Sequence, residues 1–263
     1  MVSAVSKPSD EASTVITPRP RTDENVFLFV PNLVGYARVI LAAASLTYMP
    51  THPKFCTVAY SISCLLDAVD GQAARALGQT SKFGAILDMV TDRCTTSCLL
   101  CFLASAYPQF ALLFQFLISL DFSSHYIHMY ASLISGSASH KSVTKKQSWI
   151  LWSYYNNSTT LFIFCAGNEL FFVALYVMNS YRTPLGLKPL LHLLPHSVTD
   201  LLPILWYHAL ENITWPQVVA LLTFPIMFTK QVINCVQFWK ASKLLVEADQ
   251  EERWVKQNEK KRE

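Results

Sequence analysis

Four aspartates in two short stretches are the residues of this sequence best suited to chemistry. Asp67 and Asp70 are three positions apart in the first stretch. Asp88 and Asp92 are four positions apart in the second. Side chains at these spacings share one face of an α-helix, so each pair projects together. If the two helices are antiparallel neighbours joined through residues 76–82, we expect all four carboxylates to share one small volume.

A cluster of four carboxylates requires a cationic partner. Crowded carboxylates repel one another, and charged groups are costly where a helix enters hydrocarbon. Mg²⁺ and Mn²⁺ are hard cations that prefer oxygen ligands, and we expect the aspartates to hold a pair of them. Two such ions held close together assist displacement at phosphorus. The cluster therefore indicates metal-assisted transfer of a phosphorus-containing group.

Two glycines and an arginine near the aspartates fit the same chemistry. Gly71 and Gly84 have no side chain that would keep a diphosphate, or an opposing backbone, at a distance. Arg75 lies one helical turn after Gly71 and can form a forked contact with a phosphate. Two acids near a helix end are common, and one pair alone fits a solvated face. The complete pattern, Asp-x2-Asp-Gly-x2-Ala-Arg-x8-Gly-x3-Asp-x3-Asp, fixes eight positions within 26 residues, and chance is a poor explanation for it.

The composition predicts that these residues lie in a membrane protein. Hydrophobic residues make up 52% of the 263 positions and charged residues only 15%, against about 25% charged residues in a soluble domain. Apolar stretches near the ~20 residues that a bilayer requires occur at 31–49, 55–68, 83–107, 110–134, 159–178 and 216–238. We therefore expect an all-α, polytopic protein with a bundle of six transmembrane helices.

Polar residues within these spans are expected to face the interior of the bundle or a wet cavity. They are Asp121, His125 and His128 in the fourth span, and Asn168 and Glu169 in the fifth. The seven cysteines also lie in apolar stretches without the spacing of a zinc site. We expect them to pack as small core residues.

Charge outside the spans predicts the orientation and the domain limits. Residues 1–25 are rich in Ser, Thr, Pro and charge and predict a disordered cytosolic tail, not a cleaved signal peptide. We expect a membrane domain at 26–243 and a charged cytosolic tail at 244–263, as a solvated helix extending from the last span. Lysine and arginine fall mainly on one side, so both termini, the aspartates and the loop around Lys141 are predicted to be cytosolic. The net charge of +3 is too small to indicate nucleic-acid binding, and the basic ends fit anionic lipid headgroups.

The eight-position pattern resembles the signature of the CDP-alcohol phosphatidyltransferase family without a departure. The wider sequence is similar to eukaryotic members of that family that use inositol as the acceptor alcohol. The similar segments are 30–38, 65–71, 83–94, 124–125, 136–141 and 165–171. The resemblance covers the chain from about residue 24 to about residue 172, whereas the two tails and the stretch 180–215 do not share it.

The resemblance implies an activity and a role for each motif residue. Such enzymes join CDP-diacylglycerol to myo-inositol and release CMP, using Mg²⁺ or Mn²⁺. The family fold is a six-helix membrane bundle that commonly forms a homodimer. Its polar cavity opens to the cytosol, and the membrane implied for this chain is that of the endoplasmic reticulum. Asp92 would also accept the proton of the inositol hydroxyl. The other implied roles are metal binding by Asp67, Asp70, Asp88 and Asp92, and contact with the cytidine diphosphate portion by Gly71, Arg75 and Ser81.

The residues that bind the acceptor alcohol are less defined by the sequence. An inositol pocket needs several polar groups that only this ring satisfies. Candidates by position are Asp121, His125, His128, Ser139, His140 and Lys141. The two histidines His125 and His128 are equally well explained as satisfied side chains inside a helical bundle. Arg93, beside Asp92, either reaches a phosphate or neutralises the aspartates.

Three other functions remain open. The same chemistry could use glycerol phosphate, serine or another lipid alcohol as the acceptor. A non-enzymatic membrane transporter could use the acidic cluster as a cation site, although it would be expected to distribute acids through the depth of the bilayer. An inactive relative of the enzymes is disfavoured by the intact pattern.

Overall fold

The structure, a computed structural model, describes residues 24–134, 149–187 and 204–262. Within these ranges the chain is all-α, and no β-strand is present. The α-helices are α1 (Val30–Tyr48), α2 (Pro53–Ala76), α3 (Lys82–Ala106), α4 (Ala111–Ile134), α5 (Trp149–Asn156), α6 (Ser158–Ser180), α7 (Ile204–Glu211) and α8 (Trp215–Glu259). Short 3-10 turns at Val26–Leu28 and Pro108–Phe110 precede α1 and α4.

Each predicted span overlaps one long helix of the described residues, although α2 and α8 extend well beyond the predicted ends, and α5 and α7 are short. Within the described residues, four helical segments are long and apolar enough to cross a membrane, namely Val30–Tyr48, Pro108–Ile134, Ser158–Ser180 and Trp215–Glu259. The chain is therefore a multi-pass membrane protein. The helices α2 and α3 are also long enough, with 24 and 25 residues, but they carry the charged residues of the motif. Composition supports four of the six predicted spans, and the crossing of the membrane by α2 and α3 stays a prediction.

Local sequence determines where the helices begin. Pro53 occupies the first position of α2, where its missing N–H has no helical partner to lose. The Ser81 hydroxyl caps α3 by accepting a hydrogen bond from the Gly84 N–H, at 2.9 Å. Asn157 caps α6 in the same manner, and Thr214 with Gln217 forms a capping box at α8. Each cap satisfies N–H groups that would otherwise lack a partner at a helix end.

Packing places α1 against α2 and α3, while α8 packs against α4 and α6. Leu99, Leu100 and Leu103 of α3 are almost fully buried in the main core, together with Phe114 and Phe172. Many large apolar side chains face outward, including Ile40, Leu112, Leu221 and Leu222. Such an apolar exterior is suited to contact with lipid.

The last helix confirms the expected helical extension. It runs for 45 residues from Trp215 to Glu259, well past the end of the apolar stretch at residue 238. The helix shows no break at the predicted domain limit of residue 244. Residues 1–23 of the predicted N-terminal tail, Lys141 and residues 188–203 lie outside the described residues.

The expectation that all seven cysteines pack in the core is wrong for four of them. Cys56 is buried, and Cys64 and Cys165 are partly buried. The exposed ones are Cys94, Cys98 and Cys101 on α3, and Cys235 on α8. Because cysteine behaves as a small hydrophobe, it is tolerated on an apolar outer face as well as in a core.

Candidate functional site

The four aspartates meet around one arginine of α1. Arg38 is 3% exposed, and its Nη1 donates hydrogen bonds to Asp70 Oδ2 at 2.7 Å and Asp88 Oδ1 at 2.9 Å. Its Nη2 donates to Asp92 Oδ1 at 2.6 Å and lies 2.6 Å from Asp67 Oδ1. A single guanidinium thus contacts all four carboxylates.

The predicted convergence of the aspartates is confirmed, and it is completed by α1, for which the sequence alone predicts no role at the site. The aspartate spacing predicts that α2 and α3 are direct neighbours, whereas α1 packs on both helices and places Arg38 between their acidic faces. A signal was present, because Arg38 is the only charged residue between Val30 and Tyr48. An isolated ionisable residue in an apolar span indicates a functional site.

The carboxylates form a suitable donor set for a hard divalent cation. Asp67, Asp70 and Asp88 each offer one oxygen, and these three oxygens lie within 4.8 Å of one another. Asp92 is not part of this group of three, although it contacts the same guanidinium. The residues therefore fit a metal that prefers oxygen ligands, and the contact with Arg38 shows that the cluster accommodates positive charge.

A cavity of about 180 Å³ lies on one side of the cluster, between the adjoining ends of α1, α2 and α3. Asp70 and Asp88 form part of its wall. The three residues for which the resemblance implied contact with cytidine diphosphate, Gly71, Arg75 and Ser81, line the same cavity. The structure therefore brings all three beside the aspartates.

The wall of this first cavity is tightly packed at Gly84. A Cβ atom added there would lie 2.6 Å from Asn32 Oδ1 and 3.0 Å from Ser81 Oγ. Asn32 is buried, and its side-chain amide donates to the Val26 carbonyl at 2.6 Å. Since Asn32 is held in place, Gly84 allows α1 and the start of α3 to approach closely.

Gly84→Ala is expected to lower the free energy of unfolding by about 1–3 kcal/mol, the usual cost of overpacking. Gly71→Ala is the matched control, because its added Cβ would lie 3.6 Å from Arg75 Nη1, an ordinary contact. Thermal unfolding of the purified variants in detergent measures the difference. Equal unfolding midpoints for the two variants would show that the contact between Gly84 and Asn32 is not restrictive.

A second cavity, of about 280 Å³, lies on the other side of the cluster. Asp67 and Asp92 line this cavity together with Arg38, so the aspartates separate the two spaces. Its rim includes the exposed apolar side chains Leu65, Phe162 and Leu170. Five polar residues form the inner wall of this cavity, namely Arg93, Asp121, Asn168, Glu169 and Lys230.

Glu169 and Lys230 of the inner wall are held by neighbouring side chains. Glu169 accepts hydrogen bonds from the Tyr60 hydroxyl at 2.8 Å and the Thr96 hydroxyl at 2.7 Å. Lys230 is 4% exposed and donates to Asn234 Oδ1 at 2.8 Å. These contacts confirm that Glu169 faces the interior. Lys230 is not among the site residues predicted from the sequence, although it is the only charged residue between Trp215 and Phe238.

The predicted acceptor-binding candidates separate into different environments. Asp121 lines the second cavity and accepts a hydrogen bond from Arg93 Nη1 at 2.8 Å. His125 lies beside this pair, with its Nε2 3.3 Å from Arg93 Nη1, and His128 is buried and stacks on Tyr155. Neither His125 nor His128 lines either cavity.

Comparisons with known proteins agree with the family resemblance of the eight-position pattern. The family model for CDP-alcohol phosphatidyltransferase matches residues 28–182. A relative from Schizosaccharomyces pombe is 53% identical over 233 residues, covering 88% of this chain and 94% of its own length. A relative from Saccharomyces cerevisiae is 42% identical over 233 residues, covering 89% and 93% respectively. A relative from Homo sapiens is 50% identical over 163 residues, covering 62% and 76%.

All three relatives carry the name CDP-diacylglycerol--inositol 3-phosphatidyltransferase. No solved structure matches this chain. The family model covers more than half of the chain and includes every aspartate of the cluster. The chain belongs to the CDP-alcohol phosphatidyltransferase family.

Proposed function

We propose that this chain transfers the phosphatidyl group of CDP-diacylglycerol to myo-inositol, forming phosphatidylinositol and CMP. The observation that carries the proposal is the position of the aspartate cluster between two cavities. A transfer reaction requires two substrates that meet at one charged centre. The substrate identities are supported by the names of relatives that are 42% and 53% identical over most of the chain.

The first cavity is the proposed site of the nucleotide. Arg75 offers a planar fork of donors to a phosphate, and the bare backbone at Gly71 leaves room beside it. Ser81 lines the same wall while its hydroxyl caps α3. These residues would bind and orient the cytidine diphosphate portion, with its diphosphate near Asp70 and Asp88.

Asp67, Asp70, Asp88 and Asp92 are the residues proposed to hold a pair of Mg²⁺ or Mn²⁺ ions. When bound, such ions neutralise charge that develops on the diphosphate oxygens and improve CMP as a leaving group. Arg38 contributes a fixed positive charge to the same four carboxylates and holds them together. One side chain of α1 therefore links the carboxylates of α2 and α3.

Asp92 is the proposed general base. It lines the second cavity, where its carboxylate would accept the proton of an inositol hydroxyl as the new oxygen–phosphorus bond forms. The bond between that phosphorus and the CMP oxygen breaks, and CMP leaves on the side of the first cavity. Because the two substrates lie on opposite sides of the cluster, a single in-line displacement completes the transfer.

The membrane arrangement is part of the proposal. All six long helices would cross the bilayer of the endoplasmic reticulum, with both termini and the aspartates on the cytosolic side, as the lysine and arginine distribution predicts. A homodimer is proposed from the family resemblance. The outward-facing apolar residues, such as Leu112 and Leu222, support contact with lipid.

CMP release is expected with CDP-diacylglycerol and myo-inositol together, and chelation of divalent metal is expected to abolish it. The assay compares inositol with serine and glycerol phosphate, using purified chain with and without EDTA. Release with serine or glycerol phosphate instead of inositol would change the acceptor but retain the chemistry. Metal-dependent cation flux without CMP release would support the transporter and contradict the proposed function.

A further inference from the structure

We infer that the inner wall of the second cavity selects an uncharged polyol as the acceptor, with Glu169 and Lys230 as specificity-determining residues. This inference rests on the proposed function, since it concerns the acceptor of the same reaction. Neither residue belongs to the eight-position pattern. Both are isolated charges on otherwise apolar helical stretches, and both line one cavity with Asp92.

The inner wall offers both kinds of hydrogen-bonding group to a ligand. Asp121 and Glu169 carry carboxylate oxygens that accept hydrogen bonds, and Arg93 and Lys230 carry N–H groups that donate them. A hydroxyl group can donate to the first kind and accept from the second. The wall therefore suits a molecule with several hydroxyl groups.

The charges of the inner wall cancel. Arg93 and Lys230 are basic, and Asp121 and Glu169 are acidic, so the wall has no net formal charge. A phosphorylated acceptor would bring about two negative charges against a wall that has no excess of cations, beside the carboxylates of Asp67 and Asp92. A polyol brings none, and its hydroxyls can satisfy both kinds of wall residue. The wall is thus matched to a neutral acceptor.

The position of the wall relative to the cluster completes the inference. Asp67 and Asp92 line the same cavity, so a hydroxyl held there faces the proposed base. The exposed apolar rim at Leu65, Phe162 and Leu170 suits the diacylglycerol portion of the donor. After transfer, a product with a polar ring and an apolar tail would match the inner wall and the rim.

Glu169→Gln and Lys230→Met are each expected to raise the KM for myo-inositol about tenfold or more, the scale of a lost charged hydrogen bond. The KM for CDP-diacylglycerol should stay within about twofold, because the nucleotide lies in the other cavity. The measurement is CMP release by the purified full-length chain in lipid nanodiscs. Lys243→Met and Glu252→Gln are charge-matched controls at exposed positions of α8, and we expect both to behave as wild type.

A panel of inositols that each lack one hydroxyl separates recognition from general disturbance. With wild type, kcat/KM for at least one deoxy-inositol should be about tenfold or more below that for myo-inositol. With Glu169→Gln or Lys230→Met, the same deoxy-inositol should fall less than about threefold below myo-inositol. A merely structural role would weaken all acceptors equally and would overturn the inference. So would a change confined to the KM for CDP-diacylglycerol.

Wild-type chain alone provides a second test that does not depend on the folding of a variant. We expect kcat/KM for a phosphorylated inositol to be at least about a hundredfold below that for myo-inositol. Comparable use of the two acceptors would contradict the neutral wall while leaving the proposed function intact. Failure of wild type to release CMP with any inositol would instead reject the proposed function.

Discussion

Asp92→Asn is expected to lower kcat by about 10² or more, the scale of a lost general base, while CDP-diacylglycerol binding remains largely intact. Asparagine has nearly the same shape as aspartate and its side-chain oxygen can still accept a hydrogen bond from Arg38, which lies 2.6 Å from Asp92 Oδ1. It cannot take the proton of the acceptor hydroxyl. Single-turnover formation of phosphatidylinositol, with donor affinity measured in parallel, tests this prediction.

Asp88→Asn is the appropriate comparison for Asp92→Asn. Both residues contact Arg38, but Asp88 lines the nucleotide cavity and Asp92 lines the acceptor cavity. We expect Asp88→Asn to weaken metal-dependent donor binding as well as turnover. Near-normal turnover in Asp92→Asn would reject its assignment as the base. Equal loss of donor binding in both variants would show that Asp92 acts only within the metal cluster.

The convergence of the aspartates was predictable because it depends on local spacing. Asp67 with Asp70, and Asp88 with Asp92, share helix faces by helical periodicity alone. The role of Arg38 depends instead on how α1 packs across α2 and α3, a tertiary arrangement that periodicity does not define. What the sequence does show is that Arg38 is isolated in an apolar segment, and this observation alone marks it as a residue with a charged partner.

For the same reason, only some residues of the second cavity are predictable from the sequence. Glu169 was expected to face the interior, and its contacts with Tyr60 and Thr96 confirm this. Glu169 and Lys230 line the same cavity although they are 61 positions apart in sequence. A short sequence motif cannot predict such a pair. His128 was a reasonable acceptor candidate by position, but its ring stacks on Tyr155 away from both cavities.

The acidic residues of the site also make α2 and α3 less apolar than typical membrane spans. α2 and α3 have the length of spanning helices, yet the acidic residues lower their apolar character. Only four helices in the part of the chain that the structure describes therefore meet the composition expected of a span. Sequences depart from the usual composition of a helix most often at functional sites, because the residues there are selected for function. The predicted count of six spans therefore depends on accepting the aspartates as part of the bundle.

Arg38→Met is expected to lower the free energy of unfolding by about 3–5 kcal/mol in the presence of a chelator, the usual cost of removing one partner of a buried ion pair. The substitution would remove a guanidinium that is 3% exposed and that contacts the carboxylates of both α2 and α3. The repulsion among these carboxylates would then lack its main compensation within the chain.

Added Mg²⁺ should restore part of this stability, and should raise the unfolding midpoint of Arg38→Met more than that of wild type. The reason is that an ion bound by the aspartates replaces the missing positive charge, whereas wild type already has the guanidinium. Arg38→Lys should lie between the two, because an ammonium retains the charge but loses the planar fork that reaches several oxygens. Arg75→Met removes a charge from the first cavity without affecting the contacts of Arg38, so its midpoint in chelator should stay near that of wild type. If Arg38→Met in chelator unfolds at the wild-type temperature, the guanidinium does not hold the cluster together, and the aspartates must be held in place by the packing of α2 and α3 on the rest of α1.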